Sequence, residues 1–314
     1  MLTVEQEGSP LNSGSDIRAL AYAANGECIV SGGVEGVRVW RVEDSQQMAT
    51  MEAISVLCLA VSKDGRRIAA GTYIGDVFVW DAKTYEEVFS HTEDIDDVNG
   101  VDFSPDGTRL ISASKHGTAS IWDIAARNRA HTLDHDDFVT AAKYSPQGDR
   151  IATTTRDSVR VWDSNDNRLL ADIKVKVTPW RNTGLLWFNN TLFVISDSKI
   201  KQFDASNGST VSEWTVPESG GASCIALPKS GEFIAYSTWR TVTFWDTATH
   251  AQLGLIQHSQ DICSIAVSPD DRVLAFSGHD GIVAVNGMFP ITVSMLSRRI
   301  VVHVNNFLAL IILP

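Results

Sequence analysis

Apolar and polar residues alternate in short runs along most of the chain, as in VNGVDF (98–103) and SIAVS (264–268). A period of two places successive side chains on opposite faces of an extended strand. No segment shows the sustained 3.6-residue period of a helix, so helix content should be low. Turn signals separate the runs at AANG (Gly26), SKDG (Gly65), SPDG (Gly107), SPQG (Gly148), NNT (Asn190), PKSG (Gly231) and SPDD (Asp271). Proline presets φ for such a turn, and Gly or Asn tolerates the positive φ that closes a hairpin. The pattern predicts an all-β chain of many short antiparallel strands.

A second ruler has the same period. Strand-like runs end in Trp or a substitute at VRVW (Trp40), VFVW (Trp80), ASIW (Trp122), VRVW (Trp162), IKQF (Phe203) and VTFW (Trp245), at spacings of 40, 42, 40, 41 and 42 residues. A weaker seventh copy, IVAVN, has Val285 or Asn286 at this position. Asp follows in five copies, at Asp81, Asp123, Asp163, Asp204 and Asp246, and Arg41 stands there in the first. Each unit reads as strand, turn, strand, turn, strand ending in Trp-Asp, then a fourth strand.

On these two rulers the chain resembles the WD40-repeat family, over residues 1 to about 286. The resemblance implies a seven-bladed β-propeller of four-stranded antiparallel blades around a central channel. A single blade cannot bury both of its faces alone, and closing the ring removes the open ends of the stack. The resemblance also implies closure by the N-terminal strand. Residues 2–5 (LTVE) are placed to be the outer strand of a degenerate blade seven, whose other three strands lie within 260–286.

Residues 287–314 depart from this frame. They contain no Asp, Glu or Lys, and Arg298 and Arg299 give them +2 in a chain of net charge −12. Two readings stay open for this apolar tail. One is an extra hairpin turning at Asn305-Asn306; the other, which we favour, is a splice or gene-model artefact that replaced the end of blade seven. A membrane segment is not expected, because the last apolar run is too short to span a bilayer.

Composition excludes several functional classes. Hydrophobic residues at 44% and charged residues at 20% suit a chain with a buried core. Lys and Arg number 26 against 38 Asp and Glu, which argues against direct binding to nucleic-acid backbones. Four scattered cysteines do not make a disulfide scaffold. The N-terminal MLTVEQEG lacks a basic stretch followed by an apolar core. A soluble protein of the cytoplasm and/or nucleus is expected.

The candidate chemistry is sparse. His135, a Thr pair at Thr153 and Thr155, Asp157 and Trp162 invite a catalytic-triad reading. The resemblance implies instead a structural tetrad tying the strands of blade four, assigned to His135, Thr155, Asp157 and Trp162. No Gly-rich elbow or oxyanion hole accompanies the threonines. Blade seven keeps His258 and Asp280 but lacks the Trp. His131 and His135 are four apart, but on a strand and loop that spacing does not make a metal site, and no CxxC occurs. Cys28, Cys58, Cys224 and Cys263 read as small buried hydrophobes. No metal, cofactor or catalytic residue is expected.

The loops between blades, and the turns after each second strand, open on one face of a propeller, its top, where the resemblance places peptide binding. Those loops hold Tyr73, Lys115, Arg156, Trp180, Arg181, Trp239 and Arg240. Trp, Tyr and Arg dominate interface energetics, and Trp180 and Trp239 lie outside the repeated Trp series. Asp94, Asp96, Asp97, Asp136 and Asp137 make the loops entering blades three and four acidic, which suits partners with basic segments. The expectation is a non-catalytic scaffold or adaptor that binds peptides or domains within a multiprotein complex. The alternatives are a channel-based small-molecule binder or enzyme, and a truncated copy of a longer protein.

Overall fold

A computed structural model describes residues 2–6, 11–92, 96–177, 184–217, 224–290, 301–304 and 307–310. Seven antiparallel sheets follow one another around a ring. Blade one is built from Ile17–Tyr22, Cys28–Gly33, Gly36–Arg41 and Gln47–Met51, and blades two to six repeat that order. The first strand of each blade lines the central channel, and the fourth forms the outer rim.

The repeated Trp-Asp has a local cause. The pairing of third and fourth strands slips by one residue beside this position in blades one to six, for example between Val39 and Trp40 and between Val161 and Trp162. Such a bulge bends the strand into the turn that follows. The next residue's carboxylate then accepts that turn's backbone N–H groups. Asp81 Oδ1 takes Lys83 N at 2.8 Å, Asp163 Oδ1 takes Asn165 N at 2.8 Å and Asp204 Oδ1 takes Ser206 N at 2.7 Å. Backbone bonds from Thr84 and then Lys83 hold the Asp81 carboxyl below the usual range, and the bond from Asn165 does the same for Asp163. Arg41, which replaces Asp in blade one, instead reaches Asp44 at 2.7 Å, and Asp44 caps Gln46 N.

The core is divided among the seams. Seven apolar clusters each lie between two neighbouring blades. The last joins Ala275, Val283 and Val285 of blade seven to Ile17, Ile29 and Trp40 of blade one. Polar links cross the seams too: Asp102 of blade three accepts from Lys143 Nζ at 3.1 Å and Tyr144 N at 2.9 Å in blade four.

Closure uses the N-terminal segment. Leu2–Gln6 pairs antiparallel with the third strand of blade seven, from Leu2↔Pro290 to Gln6↔Asn286, and Leu11–Asn12 pairs further along the same strand. That third strand runs Ile282–Pro290, four residues past the point where the composition changes. Met288 is buried in the seam with blade six. Val301–Val304 and Phe307–Leu310 form a two-stranded hairpin beside the outer strand of blade six.

Candidate partner-binding face

The top face is stitched by its own backbone. In each seam the turn between second and third strands bonds to the neighbouring inter-blade loops: Val34 N to Asp16 O at 3.2 Å, Ser55 N to Val34 O at 3.1 Å, Tyr73 N to Ser55 O at 2.9 Å and Lys115 N to Asp97 O at 2.9 Å. Side chains carried there stand on a fixed frame.

Six of the ten exposed large hydrophobic side chains among the described residues lie on this face, and the other four, Met48, Leu169, Leu170 and Val211, lie on outer strands. Val34, Ile54, Tyr73 and Ile74 are exposed together over blades one and two, Ile54 at 68%. Over blades three and four, the exposed Phe138 ring has Lys115 Nζ and Arg156 Cζ each 5.8 Å from its centroid. A cation at that distance is attracted to the negative ring face, which fixes three long side chains in one group. Trp239 is 49% exposed on blade six. Arg240 beside it reaches Asp261 at 3.1 Å. Trp180, Arg181 and Asp94 lie outside the described residues.

The four acidic loop residues that are described each have a basic neighbour. Asp97 is 3.9 Å from Lys115, Asp96 is 3.7 Å from His116, Asp136 is 2.9 Å from Arg160 and Asp137 is 4.0 Å from Arg156. Asp97 is buried, so it braces its loop and is not presented to a partner. The more exposed pairs contribute little to stability, but they set the direction in which each side chain points. Of the residues expected from the sequence, Tyr73 and Trp239 are exposed on this face and Lys115 and Arg156 stand beside Phe138, whereas Val34, Ile54, Ile74 and Phe138 were not among those expected. An isolated apolar residue in a loop gives no periodic signal, so only its exposure reveals it.

In blade four the bridging hydroxyl belongs to Thr153 and not to Thr155. Trp162 Nε1 donates to Thr153 Oγ1 at 2.9 Å, and Thr153 Oγ1 lies 2.8 Å from His135 Nε2. His135 Nδ1 faces the Leu133 carbonyl at 3.0 Å. Asp157 joins the blade through its main-chain carbonyl, which accepts from Val175 N. The second strand ends at Thr154, so Thr155 falls in the turn, where it bonds Ser158 at 2.9 Å. Burial first, and the nearby Arg160 charge second, push the His135 pKa down to about 4. A neutral ring donating from Nδ1 and accepting at Nε2 satisfies the whole chain of bonds. The same Trp-to-hydroxyl bond recurs from Trp40 to Ser31 at 2.8 Å and from Trp122 to Ser112 at 2.9 Å.

The channel holds a cavity of about 140 Å³ lined by first-strand residues, including Leu57, Leu59, Leu185, Ile225 and Ile265. Its two cationic residues are engaged: Arg18 with Asp16 at 3.0 Å and Lys143 with Asp102 at 3.1 Å. Among the described residues, no helix is long and apolar enough to cross a membrane.

Comparison with known proteins gives related repeats. The family model described as "WD domain, G-beta repeat" matches residues 84–123, 127–163 and 251–285. The small ribosomal subunit protein RACK1z of rice is 30% identical over 95 residues, 29% of this chain and 28% of that protein. Rice RACK1y is 31% identical over 103 residues, 31% of each chain. RACK1 of Caenorhabditis elegans is 28% identical over 101 residues, covering 32% of this chain and 31% of its own. The chain thus aligns with about three tenths of the length of these relatives. Each family match begins near the outer strand of one blade and continues through three strands of the next, so the repeat in sequence straddles a seam. The matched segments include the turns at Gly107, Gly148 and Asp271 and the Asp102–Lys143 link, so the chain carries WD40 repeats within a seven-bladed β-propeller.

Proposed function

We propose that this propeller is a non-catalytic interaction platform that binds protein partners on its top face. The observation that carries this reading is the concentration of exposed Ile54, Tyr73, Ile74, Phe138 and Trp239 on one rigid, backbone-stitched surface. Aromatic and aliphatic side chains held in place lose little entropy on binding, which is the property of an interface anchor. Lys115 and Arg156 orient a partner around Phe138. The exposed carboxylates of Asp96 and Asp136, on the loops entering blades three and four, favour a partner with basic segments and speed its approach.

The names of the relatives suggest the kind of assembly. RACK1z, RACK1y and the nematode RACK1 are named as small ribosomal subunit proteins. We extend to this chain a place in a multiprotein assembly of the cytoplasm and/or nucleus, with the ribosomal small subunit as the first candidate. Net charge of −12 makes a protein surface of such an assembly, rather than its RNA, the contact. The lining of the channel supports this reading over small-molecule chemistry, because its cationic groups are already paired.

The test is affinity capture and gradient co-sedimentation from lysate. It compares wild type with Phe138→Ala/Trp239→Ala and Trp180→Ala/Trp239→Ala variants of unchanged melting temperature. Loss of the same partners from both variants supports the top face. Equal recovery by all three chains moves the site to another surface.

A further inference from the structure

Ring closure brings together three side chains that are far apart in sequence. Asp16 lies on the loop entering blade one, Cys263 on the first strand of blade seven and His279 in that blade's turn between second and third strands. One donor atom from each lies within 4.8 Å of the other two, the one such set of three among the described residues. His279 Nδ1 is 2.7 Å from Asp16 Oδ1, and Arg18 Nε holds Asp16 Oδ2 at 3.0 Å.

The backbone fixes this meeting. Ser13 donates to the Gly281 carbonyl from both N and Oγ, at 2.8 and 3.0 Å. Gly281, at φ +71°, packs so closely that a Cβ there would lie 2.6 Å from Ser15 O. The loop bearing Asp16 and the turn bearing His279 are therefore clamped to one another across the seam.

We propose that Asp16 Oδ1, Cys263 Sγ and His279 Nδ1 form a Zn²⁺ site that bridges blades seven and one, with a fourth position open to solvent. Sulfur, imidazole nitrogen and carboxylate oxygen are the donors zinc takes, at about 2.3, 2.0 and 2.1 Å. Donors around a tetrahedral ion at those lengths stand roughly 3.5 Å apart. Closing the set takes a movement of about an ångström, and the His279 side chain, 60% exposed, supplies it by rotating.

Binding exchanges a proton for metal. The ion takes the Nδ1 lone pair of neutral His279, whose single ring proton then sits on Nε2, and displaces the thiol proton of Cys263 to solvent. Burial, and then the Asp16 charge, push the free thiol up to about 12. The same negative surroundings, with Asp261 added, attract a divalent cation, and coordination ionises the thiol outright. Arg18 opposes this, but it also orients the carboxylate. Because Asp16 belongs to the segment that closes the ring and the other two to the last blade, bound zinc favours the closed ring.

The metal-free full-length chain titrated with Co²⁺ should give one equivalent of near-ultraviolet thiolate-to-cobalt charge transfer, displaced by Zn²⁺. Cys263→Ser should abolish the band, and His279→Ala should weaken the affinity at least tenfold. Cys224→Ser should leave the band intact, although Cys224 Sγ bonds the Cys263 carbonyl. Zinc should raise the melting temperature of wild type and not that of His279→Ala. No band at one equivalent of Co²⁺, a band that survives Cys263→Ser, or undiminished affinity in His279→Ala would overturn the proposal. His279 is exposed, so its variant decides the matter even if Cys263→Ser folds poorly.

Discussion

Gly71, on the second strand of blade two, lies so close to Val98, on the first strand of blade three, that a Cβ at residue 71 would stand 2.4 Å from Val98 Cγ1. Cys58 Sγ would be 2.7 Å away on the same side. The seam is set by the missing side chain, so Gly71→Ala should destabilise the propeller by about 1–3 kcal/mol through overpacking. Val98→Ala in the same chain should recover part of that loss. An unchanged urea midpoint in Gly71→Ala would show that the blades separate freely.

Thr153 offers a sharper contrast. Thr153→Ala leaves the Trp162 indole without its acceptor and His135 Nε2 without its partner, both inside blade four. The expected cost is about 2–4 kcal/mol. Thr155→Ala removes one bond to Ser158 in the turn and should cost about 1 kcal/mol. Equal losses in chemical denaturation would mean that the bridging role is shared.

His135 predicts an acid sensitivity. Its pKa is about 4 when folded and 6.5 when free, so between these values the unfolded chain takes up a proton that the folded chain refuses. Stability therefore falls as pH drops from about 6.5 to 4, by about 3 kcal/mol for this group. The lowered carboxyl groups, Asp81 and Asp163 among them, lose their contribution only below the ordinary carboxylate value of 3.8, a separate window. Stability measured from pH 7 to 4 should fall more steeply in wild type than in His135→Gln. Parallel curves would remove His135 as the cause.

The end of blade seven can be tested by truncation. A chain ending at Asn286 loses the pairs from Leu2↔Pro290 to Glu5↔Gly287 and the buried Met288. Its Tm should fall by at least about 5 °C. A chain ending at Pro290 keeps these contacts and should melt close to full length. If both truncations melt alike, the strand beyond Asn286 contributes nothing.

The blade frame was legible because Trp-Asp and the Gly or Asn turns are local devices. Each caps or turns a few residues, so each leaves its mark within a short window. The hydroxyl that meets Trp162 was less legible. Thr153 and Thr155 share an alternation phase, and only the end of the strand at Thr154 separates them. Phe138 gave no sign, since its setting between Lys115 and Arg156 arises from three different loops. The approach of Asp16 to His279 exists only after the ring closes, so no spacing along the chain records it.

That closure also sets the order of events at the ribosome that makes the chain. Leu2 pairs with Pro290, so the first strand waits for almost the whole chain to be synthesised. At roughly 5–20 residues per second the wait is about 15–60 s. Throughout it, Leu2–Gln6 lacks its partner strand and the face of blade one that packs on blade seven stays uncovered, with Ile17, Ile29 and Trp40 open to other chains. The nascent arc is most vulnerable to mispairing at its two ends, and it needs protection there until the final strand emerges.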